Sequence, residues 1–399
     1  MAVVTVTGAG RGATIPFQSA QQAIIAQSLG TAISSQLAAG TLLPTDPVGF
    51  RAPHTAVPSA LFVRNSGVVL LNPSVAAVVD NAAGAVTLLG DHALNQTVVA
   101  GSGGLTYLTN GGFGSIVAAG GNNRLITSAN GSAGWDVNTG AGNDTVLSLT
   151  GDDSISAGLG NNQVLLASGN NLVDVTGKDT VVAGSGADTV EVGTGGSAVV
   201  FGGASNLLFV GGDLAASVYG GTGSATIFGG NGGGAYTGGT AGNNFIYAAG
   251  TITGGNGGDQ LYATGSIASA IRASNGNETL SSALSSGADT LFAGCGADTI
   301  TLGVNENTVV GGTGAATIFG GVAPAVYEFI KGSAGGQDVI NGFGAGDTVK
   351  LVGYAGNESV TAVSGATADP ATCGTTVTLD DNTKITFSNV TDASKIHFS

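Results

Sequence analysis

Acidic and amide side chains recur at a fixed interval in the middle of the chain. Each follows a glycine-containing segment, and an aliphatic residue comes two positions later. Four of these polar positions are nine residues apart, and two more follow after steps of eight and nine: Asp144, Asp153, Asn162, Asn171, Asp179 and Asp188. Carboxylate, amide and backbone oxygens are the ligands that Ca²⁺ prefers. The spacing therefore makes calcium binding the first chemistry to consider.

The elements that hold these side chains must repeat with the same period. The aliphatic positions of the central block are Val146, Ile155, Val164, Val173, Val181 and Val190. A fixed period with one apolar position and one glycine turn per unit is typical of a stacked repeat. One unit cannot bury its apolar side chain alone, so the units must stack into a solenoid. The same register predicts further inward residues outside the block, among them Leu108, Val199, Leu208 and Phe245.

The repeats resemble the RTX family of calcium-binding nonapeptides, whose consensus is Gly-Gly-x-Gly-x-Asp-x-aliphatic-x. The best copies are GAGNDTV at 140–146, GSGADTV at 184–190 and GCGADTI at 294–300. The resemblance implies an all-β fold, a right-handed parallel β-roll or β-solenoid with two nonapeptides per coil. In such a fold the aliphatic residues point inward, and we expect the turn residues, Asp144 and Asp188 among them, to be exposed.

Turns on the same edge of the solenoid are two repeats apart, so the spacing predicts which turn residues are neighbours. The expected pairs are Asp144 on Asn162, Asp153 on Asn171, Asp188 on Asn206, Asp289 on Asn307, Asp298 on Ala316 and Asp179 on Ser197. No such pair has two aspartates, whereas consecutive aspartate turns are the rule in the family. We therefore expect Ca²⁺ at only a few, weak sites. The alternative is that Asn, Ser and Thr satisfy the turn amides without metal.

Composition excludes several classes of protein. Only 9% of the 399 residues are charged and 42% are hydrophobic, which argues against disorder despite 72 glycines. The net charge of −15 argues against nucleic-acid binding. The one apolar helical stretch is interrupted by Gln and Ser, so we expect no membrane insertion.

Outside the repeats, the sequence predicts two further segments. Residues 1–65 contain a helix from Pro16 to Ala39, with Gly40 as its C-terminal cap, and then a proline-rich linker. Residues 66–349 form the solenoid. Residues 350–399 form a β cap, with a hairpin of Thr376–Leu379 and Lys384–Phe387 around a turn at 380–383.

The C-terminal region also resembles the closing block of RTX proteins exported by the type I pathway. The similarity lies in GQDVINGFGAGDTVKL at 336–351. It implies an uncleaved C-terminal secretion signal and a bacterial protein that is extracellular or at the cell surface. No N-terminal signal peptide is evident, which agrees with that expectation.

The sequence shows few of the features that are typical of an enzyme. The three histidines, His54, His92 and His397, are scattered, and we find no HExxH, G-x-S-x-G or phosphate-loop motif. The sequence does not determine the redox state of Cys295 and Cys373. Most aromatic residues are expected to be inward or nearly so, with Trp135 at a turn as the exception; they are Phe201, Phe209, Phe228, Tyr236, Phe245, Phe292 and Phe319.

The leading hypothesis is an exported structural protein that assembles with itself into a filament, surface layer or biofilm matrix. Low surface charge favours association. We expect the contact to include Phe17, Ile24, Ile25 and the stretch to Pro58. Two alternatives stay open: an adhesin or calcium-dependent module that binds cell-surface polysaccharide, and the non-catalytic part of an RTX exoenzyme.

Overall fold

The computed structural model describes residues 2–8, 10–90, 95–129 and 133–399. His92 lies outside these ranges. The chain divides into two compact units, residues 1–205 and 206–399. Each unit is nearly all β and is built as a parallel β-solenoid, which confirms the fold class predicted from the repeats. No helix in the described ranges has the length and apolarity needed to span a membrane.

Unit 1 opens with a β-hairpin and the one long helix. Strands β1 (Ala2–Gly8) and β2 (Arg11–Phe17) pair antiparallel. Helix α1 (Ala20–Ala38) follows, and the side chain of its N-cap residue Ser19 accepts a hydrogen bond from the Gln22 N–H. The predicted helix exists, but its start at Pro16 was wrong, because Pro16 and Phe17 complete β2. It ends at Ala38, one residue before the predicted end, with Ala39 as its C-cap residue and Gly40 following at φ +72°.

The solenoid strands of unit 1 alternate between two parallel sheets. The first sheet contains β3 (Leu43–Thr45), β4 (Ser59–Val63), β6 (Val75–Asp80), β8 (Asn95–Ala100), β10 (Phe113–Ala118), β12 (Trp135–Asn138), β14 (Ser154–Ser156), β16 (Leu172–Val175) and β18 (Asp188–Val192). The second sheet contains β5 (Gly67–Leu70), β7 (Val86–Leu89), β9 (Leu105–Leu108), β11 (Arg124–Thr127), β13 (Thr145–Ser148), β15 (Gln163–Leu166), β17 (Lys178–Val182) and β19 (Ser197–Phe201).

Unit 2 repeats this arrangement. The third sheet contains β20 (Leu207–Val210), β22 (Ala225–Phe228), β24 (Phe245–Ala248), β26 (Gln260–Gly265), β28 (Thr279–Ser285), β30 (Ala297–Thr301), β32 (Ala315–Phe319), β34 (Gln337–Asn341) and β38 (Lys384–Ser388). The fourth sheet contains β21 (Ala216–Tyr219), β23 (Gly234–Thr237), β25 (Gly250–Thr253), β27 (Ala270–Arg272), β29 (Thr290–Phe292), β31 (Asn307–Val310), β33 (Ala325–Ile330) and β35 (Thr348–Val352).

Stacked aliphatic side chains fill the space between the sheets of each unit. Val146 pairs in register with Val164 on the next coil, and both are fully buried. Val190, Ile300 and Ile318 are at most 1% exposed, as the repeat register predicts. Because each coil buries its apolar residue against the coils beside it, no separate globular core is needed.

The aromatic residues depart from the predicted arrangement. Phe209 and Tyr236 are buried as expected, but Phe201, Phe228 and Phe319 are 41–45% exposed. These three side chains follow an inward residue directly, and side chains alternate between the two faces of a strand. Trp135, predicted at a turn, instead begins β12 and is 1% exposed, with its ring edge-on to Tyr107.

Both terminal segments cover their own unit. In unit 1, β3 pairs with β4, and the face of α1 that holds Ile33 packs with Phe17 against a core that includes Phe62. In unit 2, β37 (Gly374–Thr378) and β38 form the predicted hairpin, and β38 pairs with β34. Helix α2 (Glu358–Ser364), β36 (Thr367–Asp369) and a 3-10 turn (Ala393–Lys395) complete this region. The exact domain boundaries at residues 65 and 349 stay predictions.

Candidate calcium sites in the coil turns

The repeating polar residues stand immediately before or at the start of the strands and are buried. Asp144, Asp153, Asn162 and Asn171 each precede a strand, and Asp188 is the first residue of β18. All five are 1–2% exposed. The expectation that Asp144 and Asp188 are exposed was therefore wrong. Their side chains fold back against the solenoid, where they meet backbone amides of the coil before.

These side chains form two series of hydrogen bonds along unit 1, which we call the oxygen ladders. In each, the side-chain oxygen of one coil accepts the backbone N–H of the equivalent residue one coil earlier. In the first ladder, the N–H groups of Asn123, Asp144 and Asn162 reach Oδ1 of Asp144, Asn162 and Asp179 at 2.6, 2.9 and 3.0 Å. In the second, those of Trp135, Asp153 and Asn171 reach Oδ1 of Asp153, Asn171 and Asp188 at 2.7, 2.9 and 3.1 Å.

The ladders explain why Asn and Asp alternate without disturbing the stack. Each coil leaves one such backbone N–H in each ladder, and a buried N–H needs an acceptor. The Oδ1 atom of either residue type supplies one. The structure thus places Asp144 beside Asn162 and Asp153 beside Asn171, and in unit 2 Asp289 donates its N–H to Asn307 at 3.0 Å.

Glycine allows the coils to approach this closely. Gly160 has φ +130°, a conformation that favours glycine, and a Cβ on it would lie 1.8 Å from the carbonyl oxygen of Gly142 on the neighbouring coil. No side chain fits there. The turns of successive coils are consequently packed with no room for a side chain between them.

Several carboxylates keep one oxygen unused. In the described part of the chain, the second oxygens of six buried acids have no hydrogen-bond partner: those of Asp144, Asp179, Asp188, Glu278, Asp289 and Asp338. Burying an ionised oxygen without a partner is costly. These orphaned oxygens are the atoms that a cation would satisfy.

Burial raises the pKa of these acids. For Asp179 burial raises the pKa to about 6, against the opposing effect of the hydrogen bonds from Asn162. For Asp338 burial raises the pKa to about 7, the N–H of Ala316 lowers it, and the charge of Asp298 raises it further. The pKa values of Asp144, Asp188 and Asp289 are also raised, mainly by burial. A bound cation would reverse this direction, because it stabilises the ionised form.

Other predicted site residues are already satisfied by the protein. The two oxygens of Asp153 accept hydrogen bonds from Trp135 N–H and the Thr127 hydroxyl, at 2.7 and 2.9 Å. The two oxygens of Asp298 accept the N–H groups of Glu278 and Gly294, both at 2.9 Å. Both carboxylate oxygens of each aspartate therefore have a hydrogen-bond partner within the protein, which agrees with the metal-free alternative at these positions.

The pair of Asp188 and Asn206 is divided between the units. Asp188 belongs to unit 1, and Asn206 is the first residue of unit 2 and is exposed. That pair stays a prediction. Asp298 pairs in register with Ala316, as the spacing predicts, so this position offers a single carboxylate.

Sequence reasoning misplaced or missed acids whose spacing departs from eighteen. Asp179, expected on Ser197, pairs in register with Ala198 and caps Asn162 at a separation of 17 residues. Asp338, which was missed, caps Ala316 at a separation of 22. Glu278 stacks beside Asp298 at a separation of 20, which makes it an acid pair that the strict register did not reveal. Allowing up to four inserted residues before each Gly-x-Asp segment would have found Asp338.

The donor set fits a hard cation that accepts carboxylate and carbonyl oxygens. Ca²⁺ takes six to eight oxygen ligands in flexible geometry. The orphaned oxygens at Asp144, Asp188 and Asp289 would supply negative charge to such a cation. Across the described residues, no group of three or more acidic, histidine or cysteine side chains could hold a metal together. Sites with so few carboxylates should bind calcium weakly.

The remaining reactive side chains are not brought together. Cys295 and Cys373 are both exposed and unpaired in the described structure. His54 lies in unit 1 and His397 in unit 2.

Comparison with known proteins identifies the repeats. Residues 138–173, 175–196 and 285–321 match the family model for the RTX calcium-binding nonapeptide repeat, in four copies. These ranges contain the ladder residues of unit 1 from Asp144 to Asp188, as well as Asp289, Asp298 and Asn307. Neither the curated proteins nor the solved structures include a significant match to this chain.

Proposed function

We propose that this chain, which carries RTX calcium-binding nonapeptide repeats, is an exported structural protein that binds a few calcium ions and associates with itself outside the cell. RTX repeat proteins are typically secreted by bacteria, and the β-roll of their repeats is typically structural or non-catalytic. The observation that carries the self-association is an exposed apolar groove on the N-terminal hairpin and helix.

The groove lies between β1 and the first two turns of α1. It has a volume of about 420 Å³ and uncharged walls formed by Ala2, Val3, Val4, Ala20, Ala23, Ile24 and Gln27. Ile24 is 71% exposed and Val3 is 56% exposed, so two large aliphatic side chains face solvent at one place. Removing water from an uncharged apolar surface costs little free energy, and a second copy of the chain would bury it.

The residues expected at the contact differ in how exposed their side chains are. Phe17 is fully buried and supports the fold of its own chain. Ile25 is half-buried against the same core, whereas Pro58 is exposed and its carbonyl accepts the Leu43 N–H. Ile24 is therefore the residue on which we place the contact.

The covered ends favour this groove over strand pairing as the route to assembly. An open coil would template further strands. In unit 1 the first sheet begins with the three-residue strand β3, and in unit 2 the hairpin of β37 and β38 covers β34. So short an edge strand offers little backbone for further strands to pair with, so we place assembly on side-chain contacts.

Sedimentation and light scattering of the full-length protein, with calcium and with a chelator, test the proposal. Ile24→Asp should abolish assembly. Val360→Asp is the matched control, because Val360 is also a helical aliphatic residue and is 70% exposed. A wild-type protein that stays monomeric at high concentration, or an Ile24→Asp variant that assembles normally, would rule out assembly through this groove.

A further inference from the structure

Four aromatic rings form a continuous strip on the outer face of the third sheet. Phe228 on β22, Phe245 and Tyr247 on β24, and Tyr262 on β26 make up this aromatic strip. Ring centroids are 5.7 Å apart for Phe228 and Phe245, 6.5 Å for Phe228 and Tyr247, and 5.5 Å for Phe245 and Tyr262. Phe228 is 41% and Tyr247 is 36% exposed.

The strip is not needed to fill the interior. The alternate residues of the same strands, Ile227, Ile246 and Leu261, point inward and are fully buried. Sheet register then fixes the outward rings in rows, with Phe228 opposite Tyr247 and Tyr247 opposite Tyr262. A rigid parallel sheet therefore presents the rings at the spacing of its strands.

The surroundings of the strip are polar but uncharged. Thr226 and Gln260 stand beside Phe245 on the neighbouring strands, and the Tyr262 hydroxyl donates to Oε1 of Gln260 at 3.3 Å. The strands β22, β24 and β26 contain no charged residue. The outer face of the fourth sheet differs, because it carries an ion pair of Lys350 and Glu328 at 2.9 Å.

The size of the strip argues against a protein partner. Three strands about 4.8 Å apart, each contributing about two outward residues, present on the order of 200 Å². A stable protein interface needs about 800 Å² from each partner. The strip matches a ligand of a few ring-sized units instead.

Charge and chemistry select the ligand class. A chain with a net charge of −15 repels nucleic acids and acidic polymers. The faces of aromatic rings carry negative potential and attract weakly positive C–H groups, which cover the faces of sugar rings. The nearby Thr, Gln and Tyr side chains can form hydrogen bonds with sugar hydroxyls. The ring spacing is comparable to the length of one pyranose unit.

We propose that the aromatic strip binds a neutral polysaccharide, with two or three successive sugar rings stacked on Phe228, Phe245, Tyr247 and Tyr262. The site is independent of the N-terminal groove. It would attach an extracellular protein to an uncharged glycan surface.

Native affinity electrophoresis of the full-length protein tests this site. The gels contain a soluble neutral β-1,4-glucan, β-1,3-glucan or mannan, and alginate serves as the acidic comparator. The double variant Phe228→Ala/Tyr247→Ala removes the two most exposed rings. Phe319→Ala is the matched control, since Phe319 is also on the outer face of the third sheet and is 45% exposed.

We expect at least one neutral glycan to retard the wild type and Phe319→Ala equally, with affinity reduced at least tenfold in the double variant. Alginate should retard none of them. No retardation of the wild type by any neutral glycan would overturn the proposal, as would equal retardation of the double variant. A double variant that loses self-association without losing glycan binding would reassign the strip to a contact between copies.

Discussion

Replacing Asp338 with Asn tests the idea that the buried carboxylates of the coil turns destabilise the fold when ionised and are stabilised by a cation. Asp338 is 1% exposed, and its Oδ1 accepts the Ala316 N–H at 2.8 Å. In the described structure its Oδ2 is buried without a partner. Asn keeps the Oδ1 acceptor and removes the charge. The chain itself uses Asn in this role at Asn162, Asn171 and Asn307.

The expected magnitude follows from the pKa. Burial raises the pKa of Asp338 from 3.8 to about 7. Between these values the folded state holds a proton that the unfolded state has lost, so the stability falls as the pH rises. Above pH 7 the full difference is about 4 kcal/mol of unfolding free energy, at about 1.36 kcal/mol for each pH unit. Metal-free Asp338→Asn should escape this loss.

Urea unfolding at pH 5 and pH 8, followed by circular dichroism in chelator, measures the effect. Only the two pH units from 5 to 7 lie in the range where the two states differ, so the wild type should lose up to about 3 kcal/mol more than Asp338→Asn between the two pH values. Added calcium should restore more stability to the wild type than to the variant. Asp153→Asn is the control, because both oxygens of Asp153 are already hydrogen-bonded. An Asp338→Asn variant with the same pH dependence as the wild type would refute the reasoning.

Three further predictions follow from the repeats. Val164→Asp should cost several kcal/mol of unfolding free energy, because Val164 is fully buried and the new charge has no partner, and an unchanged thermal midpoint would contradict this. Calorimetry in excess calcium should count fewer ions than coils, with weak binding; many tight sites, with folding lost in chelator, would disprove it. Gly160→Ala should destabilise unit 1 by more than the roughly 1–3 kcal/mol of backbone strain, because its Cβ would meet Gly142. Gly332→Ala, where the position is open, should cost only about 1 kcal/mol in the same unfolding assay.

The nine-residue period was enough to predict the fold where the repeats are regular. Val146, Val164 and Val190 are inward because the glycine turns hold their register. The register drifted by one residue elsewhere: Val199 is 37% exposed, and the inward residues are its neighbour Val200 and, one nonapeptide on, Phe209. Such a slip moves every side chain to the other face, and only the turn length decides it.

The candidate sites were harder to predict than the fold. Spacing correctly placed Asp144 beside Asn162, but it could not show that the side chain turns inward to cap a backbone amide. Whether an acid has an unused oxygen depends on neighbours such as Thr127, which completes Asp153. These neighbours lie 26 residues away in the sequence and follow no motif.

The buried oxygen ladders make the folding of each coil depend on the coil that is synthesised after it. In each rung the later coil supplies the acceptor and the earlier coil supplies the N–H, as between Asn162 and Asp179. A coil of unit 1 that leaves the ribosome therefore lacks one hydrogen bond in each ladder until the next coil has been translated. The growing end of a nascent chain always carries one unfinished coil. In unit 2, β34 likewise gains its partner β38 only after the hairpin of β37 and β38 has been translated.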